Sequence, residues 1–250
     1  MEITEEQYAR IKDSLPVQRG NVSLSNLQFL NAVLYVAEHG CKWRGLPKRF
    51  GNWHTIYTRM NRWSKSGAMD RVFEKLQLAD RAHSHRSPQP RLNFGKGAPG
   101  RHGSIKKNGP QSIGKSRGGW TTKIHMVAAD ARTAITFALS PGNAHDAPEG
   151  RELLRDLGSF PGMPVIMDRA YEGNETRQLV LALDMVPVVP PKSNRVEPWR
   201  YDRALYKKRN EIERLFRRLN GYRRIFSRFE KLDCVFLAFL CFALIVEALR

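Results

Sequence analysis

Residues 81–119 set the limits on what this 250-residue chain can fold into. Of these 39 positions, 12 are Gly or Pro, nine are Lys or Arg, and none is Asp or Glu. Glycine and proline at that density break helices and strands alike, and no apolar period runs through the stretch. The composition predicts a flexible basic linker. Any packed core must then be built on either side of it, and the two sides read differently.

The side before it, 1–80, has helical periodicity. Thr4 and Gln7 fit a capping box, followed by Tyr8, Ile11 and Leu15 at helical spacing, with Pro16 ending the run. A second helix starts near Ser23 or Ser25, lines up Leu27, Leu30, Leu34 and Ala37, and ends at Gly40. A third begins at about Asn52, with Trp53, Ile56, Tyr57, Met60 and Trp63 inward. Gly67 breaks it, and Met69, Val72, Phe73 and Leu76 mark a fourth. Short helices joined by turns suit either a helix-turn-helix-like DNA-binding domain or a plain helical bundle.

From Trp120 the period changes. Thr121–Ala129 alternates like a strand, and Ala134–Leu139 reads as another, with a Pro141-Gly142 turn after it. Asp146 can cap a helix through Leu157. Met163–Met167 is a short apolar strand running into Asp168, Glu175–Leu183 is helical, and Val186–Val189 is a further strand. Residues 203–220 and 232–249 are helical. Strands and helices interleaved in this way predict an α/β domain over 120–250.

Charge narrows the partner. Lys and Arg number 42 against 24 Asp and Glu, a formal net charge of +18. Residues 1–80 carry +4, 81–119 carry +9, 120–199 carry −2 and 200–250 carry +7. Such a balance favours nucleic acid or an anionic membrane. The longest apolar run, Cys234 to Val246, is 13 residues, shorter than the ~18 to 20 that cross a bilayer, so it reads as a buried core helix. The acidic N-terminus, MEITEEQYAR, lacks the apolar region of a secretory signal. Cys41, Cys234 and Cys241 form no CxxC pair and read as small buried residues in a reducing cytoplasm.

Two carboxylates stand out. Asp168 follows an apolar strand, where open α/β sheets place ligand and metal groups, although a loop Asp capping the next turn has the same look. Arg209, Glu213 and Asn220 fall on one helical stripe beside Ile212, Leu215, Phe216 and Leu219. Lys207, Lys208, Arg214, Arg217 and Arg218 surround them. A carboxylate in such a setting is an ion-pair partner or a metal ligand next to bound phosphate. His83, His85 and His102 have no Cys or carboxylate near them in sequence and read as solvated loop residues.

Tyr206, Arg209 and Glu213, in YKKRNEIE, match the Y-x2-R-x3-E signature of bacterial insertion-sequence DDE transposases. SIGKSRGGWTTKIHMVAAD (112–130), SPGNAHDAPEG (140–150), MDRAYEG (167–173), VPPKSNR (189–195) and YDRALYKKRNEIERLFRRLNGYRRI (201–225) are also similar to that family. The likeness is to the insertion-sequence-five group with an insertion-sequence-four-type catalytic domain. It is dense over 104–250 and looser over 5–80. The resemblance implies a ribonuclease-H-like fold in which two Asp and one Glu hold two Mg²⁺ ions, Mn²⁺ being an alternative, for in-line attack on phosphodiesters. It makes Asp168 the second Asp and Glu213 the Glu, both catalytic and metal-binding. It assigns Tyr206 and Arg209 to DNA phosphates, and Lys207, Lys208, Arg217 and Asn220 around them are read as further DNA-binding residues. His145-Asp146 matches the family's His-Asp pair, with a helix cap as the other reading. Implied partners are double-stranded DNA, as terminal inverted repeats and target, and a second copy of the chain on that DNA, with no membrane. The implied setting is the bacterial cytoplasm, at the nucleoid.

Two departures follow. The family has Lys where this chain has Asn220, which cannot neutralise a phosphate, and Arg217 or Arg218 compensates only in part. The family's first Asp ends a strand upstream of GKSRGGWTTKIH, yet 81–119 holds no acid at all; Asp80, in a helical pattern, is a weak substitute. The plan expected is a helical DNA-binding domain (1–80), a basic linker (81–119) and a ribonuclease-H-like domain (120–250) lacking its first strand. The loss of likeness between about Gln77 and Gly103 implies a local reading-frame disruption in the gene. The chain is then either a transposase of damaged activity or a catalytically dead DNA-binding protein that occupies element ends.

Overall fold

The computed structural model describes residues 2–18, 20, 22–84, 92–97, 100–101 and 111–250, those between 77 and 101 by backbone alone. In chain order the elements are α1 (Glu5–Ala9), α2 (Asn26–His39), α3 (Trp53–Lys65), α4 (Ala68–Ser84), β1 (Leu92–Gly97), β2 (Gly100–Arg101), β3 (Gly114–Ser116), β4 (Gly119–Ala128) and β5 (Ala134–Pro141). They continue with α5 (Asp146–Leu157), β6 (Pro164–Met167), α6 (Asn174–Ala182), β7 (Val186–Val188), α7 (Arg203–Tyr206), α8 (Asn210–Asn220), α9 (Arg223–Phe226) and α10 (Asp233–Leu249). The chain divides into two compact units: 1–79 with 99–111 and 218–250, and 80–98 with 112–217.

The helical unit follows its local signals. Thr4 and Gln7 close a capping box on α1, and Ser25 with Gln28 closes a second on α2. Each pairing satisfies two backbone N–H groups that a helix start leaves open. Gly40 ends α2 at φ +63°, where a Cβ would meet the Arg223 Cβ and the Phe229 ring at 3.0 Å. Asn52 caps α3, its carboxamide oxygen accepting from the His54 N–H at 2.9 Å.

The core of this unit comes from both ends of the sequence. Phe29, Leu30 and Val33 of α2 and Ile56, Met60 and Trp63 of α3 are buried with Phe236, Phe239 and Phe242 of α10. Thirteen of the 17 residues of α10 are buried, so it is the core helix its apolar run predicts. A helix apolar on every side must be enclosed by other helices. That is why 218–250, expected within the α/β domain, packs with the N-terminal helices instead. Its charged residues are paired: Arg228, fully buried, with Asp233, and Glu247 with Arg250 at 2.7 Å and the Tyr222 hydroxyl at 2.9 Å. Tyr57, expected inward, is 39% exposed, and Arg59 takes the inward place, bonded to Asn26 and the Leu24 carbonyl. Cys241 is buried, Cys41 half-buried and Cys234 exposed, so only one of the three cysteines fits the buried reading.

The second unit is built on a mixed sheet in which β4, β1, β6 and β7 follow one another and β5 and β3 also pair with β4. β4 pairs antiparallel with β5 and β1, while β1, β6 and β7 run parallel. Pro187 is tolerated because β7 is the last strand in that order and pairs on one side only. Val127, Ile135, Leu153, Leu154, Val165, Met167 and Val180 form the core between sheet and helices.

The structure corrects one expectation here. A first strand is present: Leu92–Gly97 lies at the centre of the sheet, inside the segment that composition marks as linker. With two glycines and only Leu92 and Phe94 in alternation, it has little strand propensity of its own. Paired neighbours on both edges supply what propensity lacks. Asp80 lies within helix α4 rather than at a strand end. His85 and His102 lie outside the described residues.

Candidate active site

Asp168 stands at the C-terminal end of β6. Its backbone is extended (φ −64°, ψ 152°), and its side chain caps the short 3-10 turn Arg169–Tyr171, accepting from the Ala170 N–H at 3.4 Å. The ligand and turn-cap readings of this residue are therefore compatible: Oδ1 caps while Oδ2 is turned to Arg209. Glu213 sits in the first turn of α8, where the helix dipole favours a carboxylate.

Arg209 brings the two together. Its Nη1 lies 2.6 Å from Glu213 Oε1 and 3.5 Å from Asp168 Oδ2. Those two oxygens are therefore at most 6.1 Å apart, the two legs laid end to end. The three side chains are 28%, 39% and 42% exposed for Arg209, Asp168 and Glu213, so the cluster is open to a large ligand. Arg209 also lies over the Tyr206 ring, 5.9 Å from its centroid. Burial pushes the Tyr206 phenol above its usual pKa, outweighing the opposing Arg209 charge, so it stays a neutral donor. Lys207, Arg217 and Asn220 are exposed and Lys208 half-buried.

The strand beside Asp168 is β1. Leu92, Asn93 and Phe94 lie level with Val165, Ile166 and Met167. The pairing ends there; the next residue of β1 is Gly95 and the next after β6 is Asp168. β1 itself contains no carboxylate. Among the described residues no three His, Cys, Asp or Glu are placed to share a metal ion.

Three supporting clusters escaped the sequence reading. His125, fully buried, bonds the Tyr171 hydroxyl at 2.9 Å and Ser140 Oγ at 2.8 Å. Burial, reinforced by Asp146 and Asp168, keeps the Tyr171 phenol protonated. Asp146 is the first residue of α5, not its cap, and pairs with Lys123 at 2.8 Å. Lys123 and His125 recur at period two on either side of Ile124, leading into the apolar end of the strand, a signal that could have flagged both. Finally, Glu172, 3% exposed, accepts from Arg195 Nε at 3.0 Å and Lys192 Nζ at 3.1 Å. Burial opposes its ionisation, but Arg195 and Lys192 outweigh it and hold the carboxyl below its usual range. Arg177 and Arg195 lie over Trp199, 3.7 and 4.4 Å from the ring centroid. These contacts fix the loop that leads into α7 and on to Arg209.

A parallel-antiparallel sheet with carboxylates at a central strand end and on a following helix defines the ribonuclease-H-like class of α/β proteins. The comparisons agree. The description "Transposase DDE domain" matches residues 85–246, and "Putative transposase of IS4/5 family" matches 3–73. The chain belongs to the DDE transposase family of insertion elements. It is 33% identical over 135 residues to a "Putative transposase for insertion sequence element IS6501" of Brucella ovis, across 52% of this chain and 99% of the relative. It is 31% identical over 91 residues to an "Insertion element IS402 uncharacterized 16.2 kDa protein" of Burkholderia cepacia, across 31% of this chain and 62% of that one. Likeness to the solved Mos1 transposase paired-end complex is faint, at TM-score 0.29 and 12% identity over 94% of this chain and 86% of that one. The fold assignment rests on the strand order and the family match. No helix among the described residues is long and apolar enough to cross a membrane.

Proposed function

We propose that this chain binds the terminal inverted repeats of its insertion element, as double-stranded DNA, and holds them without cutting them. The observation that carries the reading is that β1, the strand paired beside β6 and Asp168, holds no carboxylate; its register with β6, continued by one residue, would put Gly95 opposite Asp168, where the resemblance expects the first Asp.

The family implies a divalent metal at this centre. Asp168 and Glu213 offer the hard oxygens that Mg²⁺ or Mn²⁺ prefers. A pair of ions needs more. Two carboxylates cannot bridge and separately anchor two divalent charges, and the Arg209 cation already stands against both of them. The residues present do not fit a two-metal centre, and no catalytic step is assigned to them.

What remains is a phosphate-binding frame. Arg209, Lys207, Lys208 and Arg217 supply cations around the carboxylate pair, and Tyr206 supplies a hydroxyl donor. Asn220 contributes a hydrogen bond without charge. A DNA strand drawn across such a surface releases counterions and binds in a salt-dependent way. Two copies, one on each end, would suit a protein that handles paired ends. The cytoplasm, at the nucleoid, is where such DNA is reached.

A nicking assay tests the reading on a duplex carrying the element's own ends, with Mg²⁺ or Mn²⁺. Retention of the duplex in a binding assay with no nicks supports it. Nicks that vanish in Asp168→Ala would contradict it and make the chain a cutting enzyme.

A further inference from the structure

We infer that α3 is the helix that reads base edges in the major groove of the bound duplex. The inference rests on the DNA-binding reading above and adds which surface does the reading.

Among the described residues, α3 differs from every other long helix of its unit. α2 buries eight of its 14 residues and leaves only Gln28 and His39 exposed. α10 is buried almost throughout. α4 mixes Asp70 and Glu74 with Arg71 and Lys75. α3 has no acid anywhere along it. Its buried residues are Ile56, Arg59, Met60, Trp63 and Ser64, which share one side. The opposite side presents His54, Tyr57, Thr58, Asn61, Arg62 and Lys65. All but Asn61, which is half-buried, are exposed.

Those residue types suit base edges. Arg pairs bidentately with guanine, Asn with adenine, and the Thr methyl packs on the thymine methyl. Thr58 is set up for the last role, because its hydroxyl is already spent on the His54 and Thr55 carbonyls at 2.9 and 3.1 Å. Lys65 suits a phosphate. No carboxylate on the helix itself repels the backbone as it enters, and Glu230, which lines the cleft beside Tyr57 and Asn61, is paired with Arg224.

The helix is also held firmly from behind. Arg59 lies over Phe29 and Trp63, 4.5 and 4.9 Å from the ring centroids, and bonds Asn26. Phe29 and Trp63 meet edge to face at 4.8 Å. A reading helix needs that rigidity, since a loose one loses discrimination. At 13 residues α3 is about 20 Å long, and with side chains about 10–12 Å wide, which matches a major groove about 12 Å across.

Fluorescence anisotropy tests the inference on the whole chain, with a duplex from the element's ends and a shuffled duplex of the same composition. Asn61→Ala and Arg62→Ala are each expected to cut the preference for the end duplex by about five- to 150-fold. Arg62→Lys keeps the charge and is expected to lose preference while keeping affinity for the shuffled duplex. Lys75→Ala on α4 is expected to leave preference unchanged. Circular dichroism checks that each variant is folded. If the wild type prefers the ends and all three α3 variants retain that preference, α3 is not the reader, although the DNA-binding reading stands. If the wild type shows no preference, both fail. If the variants instead change sedimentation in the absence of DNA, the face packs on a second copy and the inference is overturned.

Discussion

The helical unit and the carboxylate site are held together by different physics. The first is a closed apolar core in which α10 is surrounded by α2, α3 and α9, with its few charges paired at the ends. The second is an open ionic cluster, three side chains more than a quarter exposed and linked through a single guanidinium. Damage to the first costs folding. Damage to the second costs little in stability and falls on function. A chain can therefore lose a carboxylate from such a site and keep its fold, which is the event proposed above for β1.

The contrast can be broken first at α10. Phe239→Ala removes a fully buried ring, and a loss of about 3–5 kcal/mol is expected in denaturant unfolding. A loss below about 1 kcal/mol would mean that the helix is not the core of its unit. Glu172→Gln is expected to cost less, about 1–3 kcal/mol, because Arg195 keeps a neutral partner. The Glu172 carboxyl is depressed in the folded state, so its contribution is full above the ordinary carboxylate pKa of about 4.3 and is lost as pH falls through the folded value. The stability difference between wild type and Glu172→Gln should therefore shrink on acidification below that range; a difference that grew would reverse the assignment. Arg209→Ala is expected to shift stability by less than about 1 kcal/mol, since exposed ion pairs contribute little. A larger loss would make the site a structural clamp.

What was legible in the sequence was local. Thr4, Ser25, Gly40, Asn52 and Gly67 all stand at the helix ends where their chemistry put them, because a cap needs only its nearest neighbours. Asp168 at the end of β6 and Glu213 near Arg209 were readable for the same reason. What was not legible was anything set by distant partners. β1 is a strand because β4 and β6 hold it, and its own residues hardly announce it. α10 joins the N-terminal helices because they enclose it, which no window of sequence contains. The Glu172, Lys192 and Arg195 cluster spans a loop whose closure the sequence does not display.

The most direct test of the account is to put the carboxylate back. Wild type and Gly95→Asp are incubated side by side with Mn²⁺ and a supercoiled plasmid carrying both element ends, and nicked product is measured. The account predicts no nicking by wild type and a gain of Mn²⁺-dependent nicking by Gly95→Asp that Glu213→Gln removes. Nicking by wild type at the rate of Gly95→Asp would contradict it, because the chain would then have a competent centre without the third carboxylate.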